Sequence, residues 1–186
     1  RYFAQHGVRG VFQEGSYEGP GGDLAELRDY VSARLMFDPT LDDQKLVSEF
    51  LIGYYGPAAA PHVRSYLDIM HDAVAGVHLG EGFDGINAPF LTPAVILRSA
   101  AAFAAAKSVA TGLHLEHVER SSLAVWYVAV HRFQELLDFA HVNGWRWPME
   151  ATLDDSFKTL ANAVALTEAA YTSEEPCTPV DGMACG

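Results

Sequence analysis

Val8-Arg-Gly-Val-Phe-Gln13, set between the helix stop His6-Gly7 and the turn Glu14-Gly15, decides how this chain is read. Its branched and aromatic residues, bounded by glycines, have the length and make-up of one short strand. The residues before it, Arg1-Tyr-Phe-Ala-Gln-His-Gly7, read as the last turn of a helix with its glycine terminator. A strand that follows a helix this closely is usually one rung of an α/β unit, yet no second strand signal follows downstream. The expectation is a C-terminal piece of a larger protein, and the lack of an initiator methionine or signal-peptide pattern suits it. In such folds the chemistry sits where several strands end, and only one of those ends is encoded here.

Downstream of Gln13 the pattern is helical. Leu24, Leu27, Val31 and Leu35 form one stripe of a helix from Asp23 to Phe37, stopped by Asp38-Pro39. Thr40-Leu-Asp-Asp43 has the form of a capping box, with Thr40 as the cap. The helix it opens carries Leu46, Val47, Phe50, Leu51 and Tyr54 and closes at Gly56-Pro57; another starts near Pro61, aligns Val63, Tyr66, Leu67, Met70 and Val74 as its apolar stripe, and ends at Gly76. Residues 77–89 are glycine-rich and aperiodic, a loop. Thr92-Pro93 restarts a helix that is alanine-rich through Ala110, and a long helix is expected from about His117 to Val142, ended by Gly144. Its inner face is Leu123, Trp126, Tyr127, Val130, Phe133, Leu137 and Ala140, expected to bury against the last helix and the alanine-rich one. A second Thr-Leu-Asp-Asp box, Thr152 to Asp155, opens a last helix through Tyr171, and the remaining tail is expected to be loosely ordered.

Composition narrows the partners. The chain has 186 residues, 49% of them hydrophobic, enough for one domain with a proper core. A formal net charge of -12 argues against a nucleic-acid backbone as partner. Arg98, Lys107 and His114 interrupt the most apolar stretch well short of the ~20 residues that a membrane span needs, so a soluble protein is expected. Cys177 and Cys185 lie in the Pro/Gly-rich tail and leave the compartment open.

Several separated blocks then occur in a recognisable order: Gly7-Val-Arg-Gly-Val-Phe-Gln-Glu-Gly-Ser-Tyr17, Asp23-Leu-Ala-Glu-Leu-Arg-Asp-Tyr30, Glu49-Phe-Leu-Ile-Gly-Tyr-Tyr-Gly-Pro-Ala-Ala59 and His62-Val-Arg-Ser-Tyr-Leu-Asp68. They resemble the C-terminal part of the domain of unknown function 4838, a family overlapping glycoside hydrolase family 163. The resemblance covers most of residues 1–75 and continues more weakly through His117-Val-Glu-Arg120 and Trp126-Tyr-Val128. It implies a retaining endo-β-N-acetylglucosaminidase-like enzyme with a catalytic (β/α)8 barrel. The fold class expected is mainly α: the last βα unit of such a barrel, followed by a C-terminal helical domain, with the N-terminal part of the barrel missing. Residues 1–37 would be the final strand and helix, 38–172 the helical domain and 173–186 the tail. A glycan substrate and the missing barrel are the implied partners, and a secreted or periplasmic location is compatible with the family. The family pattern after the strand places a carboxylate one residue earlier than here, which turns it to the opposite face.

Gln13, Glu14, Tyr17 and Glu18 are the candidate substrate-binding residues, because they lie at or just after the end of the strand, where a barrel pocket opens. Amides and carboxylates bond sugar hydroxyls, and a tyrosine ring covers an apolar sugar face. Cleavage also needs a proton-donating acid and a second group at the anomeric centre, which this segment does not identify. Glu14 read structurally caps the next turn or pairs with Arg9 or Arg28. His114-Leu-Glu-His117 has the wrong spacing and order for a zinc helix and reads as a cap or surface pair. His78, Glu81 and Asp84 read as a solvated loop, Tyr54-Tyr55 and Trp126-Tyr127 as core aromatics, and Trp145-Arg146-Trp147 as a collapsed loop or interdomain contact before a sugar platform. No metal or cofactor is called for. Two functions follow: part of a glycan hydrolase, inactive by itself, or a noncatalytic helical support or assembly module.

Overall fold

The computed structural model describes residues 2–13, 22–79 and 85–166. Their helices are α1 (Tyr2–Gln5), α2 (Ala25–Phe37), α3 (Asp43–Val74), α4 (Pro93–Val109), α5 (Leu113–His131), α6 (Phe133–Asn143) and α7 (Leu153–Leu166), with a 3-10 turn at Gly85–Asn87. The expected mainly helical class is met. No strand occurs among the described residues, and residues 8–13 run as exposed irregular chain. A strand is defined by a neighbour that accepts its ladder bonds, and no described segment supplies one. The expectations for the tail and for the helix beyond Leu166 lie outside the described residues.

One core holds four helices together. Leu27 of α2, Leu51, Tyr55, Val63 and Tyr66 of α3, Phe103 of α4 and Val118 of α5 pack in a single cluster. α2 therefore shares its interior with the helices that follow it. Small residues on α4 explain the close approach to α3: Ala100 and Ala106 are 1% and 0% exposed and let the aromatic rings of α3 and Phe103 fill the space between. Two flanking clusters complete the packing. Leu123 and Val130 of α5 meet Leu160 and Val164 of α7, with Trp126 and Phe157 at the margin. Ile96 and Leu97 of α4 meet Ala129 of α5 and Leu136 and Ala140 of α6. The expected inner face of α5 is thus buried where foreseen, while on α6 the fully buried leucine is Leu136, with Leu137 half-buried.

Three local expectations are corrected. The helices on either side of Gly56 form one run with a sharp break: Gly56 alone leaves helical geometry, at φ 79 and ψ 156, and the second half resumes at once rather than near Pro61. Pro57 fits there because a first-turn position needs no N–H. The long helix foreseen to Val142 is two helices parted at Arg132, whose φ of -110 and ψ of 25 end one and begin the other. Its guanidinium gains partners at that corner, donating from Nη1 to the carbonyls of Ile86 and Leu91 and from Nε and Nη2 to Glu135. The apolar spacing carries through the break, so periodicity alone reads one helix.

The repeated tetrapeptide is used in two ways. At Thr152 the hydroxyl accepts from the Asp155 N–H and donates to its carboxylate, capping α7 as expected. At Thr40 the backbone N–H and hydroxyl both donate to Asp38 Oδ1, and Asp42 caps α3 instead by accepting from the N–H groups of Gln44 and Lys45. An aspartate two residues upstream captures the threonine and moves the helix start along the chain.

Gly56 and Gly53 make a paired test. At Gly56 an added Cβ would meet His114 Cδ2 at 2.8 Å on a backbone of positive φ, whereas at helical Gly53 it would meet nothing within 4 Å. Gly56→Ala is expected to destabilise by about 2 kcal/mol or more. Gly53→Ala should stabilise by about 0.5–1 kcal/mol. Urea unfolding of the two variants beside the parent chain reads both signs.

Candidate functional site

Of the four candidate sugar contacts, Gln13 is described; Glu14, Tyr17 and Glu18 lie outside the described residues. Gln13 is exposed and stands on the wall of an open groove of about 540 Å³ between α2 and α3. The polar floor of the groove is organised by Arg64, which donates from Nε to Asp68 Oδ1 at 3.0 Å and from Nη2 to Gln44 Oε1 at 3.0 Å. Asp43, His71 and Asp72 extend the same polar lining. An amide, a guanidinium and several carboxylates at the side of an open groove match the donors and acceptors of a polyhydroxylated ligand. The groove does not enclose an acid away from water, which is the usual device for a proton donor in glycosidic cleavage.

Asp23 is the acid that comes nearest to this among the described residues, one position beyond residue 22. The residue as a whole is exposed, but its carboxyl turns inward: Oδ1 accepts from the hydroxyl of Tyr66 at 2.8 Å, and Tyr66 is 2% exposed. Burial pushes the Asp23 carboxyl above the usual aspartate value, against the opposing pull of the Tyr66 hydrogen bond and of Arg28. Burial likewise raises the Tyr66 phenol well above its usual value, and Asp23 adds to that. Sequence reading took Asp23 as the start of a helix and Tyr66 as core. The usable signal was the tyrosine itself, since a buried phenol needs a polar partner.

Next to this pair lies a second polar assembly, built around the break at Gly56. The carbonyl of Tyr54, taken out of the regular ladder there, is approached by His114 Nδ1 at 3.0 Å and His117 Nδ1 at 2.7 Å. A carbonyl only accepts, so both rings donate from Nδ1. The His117 ring also lies flat on the Tyr54 ring, with centroids 3.7 Å apart and planes 1° from parallel. Arg120 pairs with Glu26 at 3.7 Å beside them, and the Tyr54 phenol is pushed up to about 12, first by burial and then by Glu26. Tyr55 shares a 2.7 Å hydrogen bond with Ser121. The two histidines are therefore neither a cap of their own helix nor a surface pair; they bond a carbonyl on α3.

The other features have ordinary placements. Trp147 is half-buried, sits edge-on to Phe133 and donates to the Glu150 carbonyl, so the Trp145-Arg146-Trp147 turn is a collapsed loop rather than a paired platform. Tyr127 is core, and Trp126 is half-buried beneath Lys107 Nζ, 5.3 Å from its ring centre. His78 is exposed; Glu81 and Asp84 lie outside the described residues. Among the described residues no three histidine, cysteine or acidic side chains converge as metal ligands.

Residues 1–68 match the family model described as Domain of unknown function (DUF4838). The matched segment holds α1, α2, the break at Gly56 and both members of the Asp23–Tyr66 pair. No curated protein and no solved structure matches the chain.

The Asp23–Tyr66 pair has a testable sign. A raised native midpoint means that the folded chain holds the Asp23 proton more tightly than the unfolded one. Between the unperturbed 3.8 and the raised midpoint, stability therefore falls as pH rises, and it is fully present below 3.8. Carboxyl ¹³C titration should show the Asp23 midpoint above 3.8, and higher again in Tyr66→Phe, which removes a donor to the charged form. Urea midpoints should fall through that window relative to Asp23→Asn. An unshifted Asp23 would contradict the pairing.

Proposed function

We propose that this chain forms part of a carbohydrate-active hydrolase, a glycoside hydrolase of endo-β-N-acetylglucosaminidase type, and that its residues 13–18 line one side of the glycan pocket. The observation that carries the reading is the DUF4838 match over residues 1–68, which takes in Gln13, Glu14, Tyr17 and Glu18. The polar groove beside Gln13 and the acid at Asp23 bracket the same segment and support it. In this reading residues 1–37 are the last unit of a (β/α)8 barrel whose other strands bring the remaining catalytic groups. Cleavage needs a proton-donating acid and a second group held at fixed separation, and in a barrel these come from different strand ends. The described helices of this chain supply no such set of ends, so the chain alone is expected to be inactive.

A second reading rests on a different observation. α2 shares a single core with α3, α4 and α5, so these four helices make one packed body. A noncatalytic support or assembly module would need only that. No helix among the described residues is long and apolar enough to cross a membrane, and the net charge of -12 disfavours a nucleic-acid partner in either reading. A secreted or periplasmic location belongs to the hydrolase proposal.

Release of glycans from a glycoprotein separates the two. The chain alone should release none, a protein joining it to an upstream barrel should release them, and Glu14→Gln in that protein should lower turnover or affinity with little change in stability. Activity in the chain alone would overturn the division of labour proposed here. Full activity of the Glu14→Gln protein would remove Glu14 from the site, and inactivity of the joined protein would favour the support module.

A further inference from the structure

Beneath the Asp23–Tyr66 pair, the packing of α3, α4 and α5 leaves a cavity of about 170 Å³. Its walls are almost wholly apolar, with Met70, Phe90, Ile96 and Val128 among them. Asp23 and Tyr66 contribute polar atoms, and Ser99 of α4 contributes a hydroxyl. An apolar cavity of about 150 Å³ accommodates a benzene molecule, so this one has room for a group of that size.

Ser99 is the feature that ordinary packing does not account for. It is 1% exposed, and its hydroxyl donates to the thioether of Met70 at 4.0 Å, the outer limit of such a contact. Four other helical serines behave differently. Ser48, Ser65, Ser108 and Ser122 each donate to a carbonyl of their own helix three or four residues back, at 2.7 to 3.0 Å. Ser99 forgoes that bond, and its hydroxyl stays in the cavity wall with acceptor lone pairs to spare. A buried hydroxyl with so weak a partner is costly unless something else engages it.

From the Ser99 hydroxyl, the apolar walls and the volume together, we propose that this cavity is a binding site for a small amphiphile: an apolar body of about six or seven heavy atoms carrying one hydroxyl-type group that Ser99 engages. The proposal does not rest on the glycan reading above and stands whether or not that reading holds. Phenol and toluene are the probes, because they share size and shape and differ in one hydroxyl. Methyl NMR of the 186-residue chain reads Met70, Ile96 and Val125, which surround the cavity.

Phenol is expected to shift these methyls saturably, with toluene about fivefold weaker, the value of one net hydrogen bond. Ser99→Ala should weaken phenol to the level of toluene and leave toluene unchanged. Ala124→Phe places a ring in the cavity and should abolish binding of both, with helical circular dichroism and a dispersed spectrum retained. Equal affinities for the two probes, or an unchanged phenol affinity in Ser99→Ala, would overturn the proposal and leave an apolar void. So would the absence of any saturable shift. Should the phenylalanine variant fail to fold, the near-isosteric alanine variant still decides.

Discussion

The packing of α3 against α5 turns on one carbonyl beside a break in α3. At Gly56 the chain of α3 turns through a conformation that only glycine adopts without strain, and the Tyr54 carbonyl loses its place in the helix ladder. An unpaired carbonyl in a half-buried position would cost about as much as a lost hydrogen bond. Two imidazoles from the first turns of α5, His114 and His117, take up that acceptor, and the His117 ring stacks on the ring of the same tyrosine. The break and the clasp explain each other. A side chain at position 56 would occupy the space of the His114 ring, and without the break no acceptor would face α5.

The consequence reaches the core. Leu51 and Tyr55 lie before the break and Ala59, Val63 and Tyr66 after it, yet all five belong to one cluster that also takes in α2, α4 and α5. A break in α3 allows both halves to face that cluster. Polar bonds then fix the register of neighbours against each half: Tyr55 to Ser121 before the break, Tyr66 to Asp23 after it, with Arg120 and Glu26 joining α5 to α2. In this way the end of the segment that carries the proposed sugar contacts is anchored to the interior through Asp23.

Much of this was legible in sequence. The apolar stripes of α2, of both halves of α3 and of α5 follow directly from their spacing, and Thr92-Pro93, Thr152 and Gly144 act at helix ends as their chemistry dictates. What escaped reading depended on partners distant in the chain. Arg132 breaks a helix because carbonyls at Ile86 and Leu91 reward it, and nothing near Arg132 announces them. Thr40 is diverted by Asp38, a competition between two good caps that a motif cannot rank. The histidines at 114 and 117 were judged by their spacing on one helix, whereas their role is set by a carbonyl on another. The candidate site divides in the same way. Gln13 lies beside a polar groove, and the pairing of Asp23 with Tyr66 required the tertiary fold.

The clasp on the Tyr54 carbonyl is open to direct measurement by long-range ¹⁵N–¹H correlation of the imidazole rings at alkaline pH, where histidine is neutral. Free histidine in its neutral form prefers the hydrogen on Nε2. Here both His114 and His117 should carry it on Nδ1, with Nε2 showing the shift of an unprotonated nitrogen, because each Nδ1 faces an atom that can only accept. Finding the hydrogen on Nε2 in both rings would mean that neither bonds the carbonyl, and the break in α3 would then need another explanation.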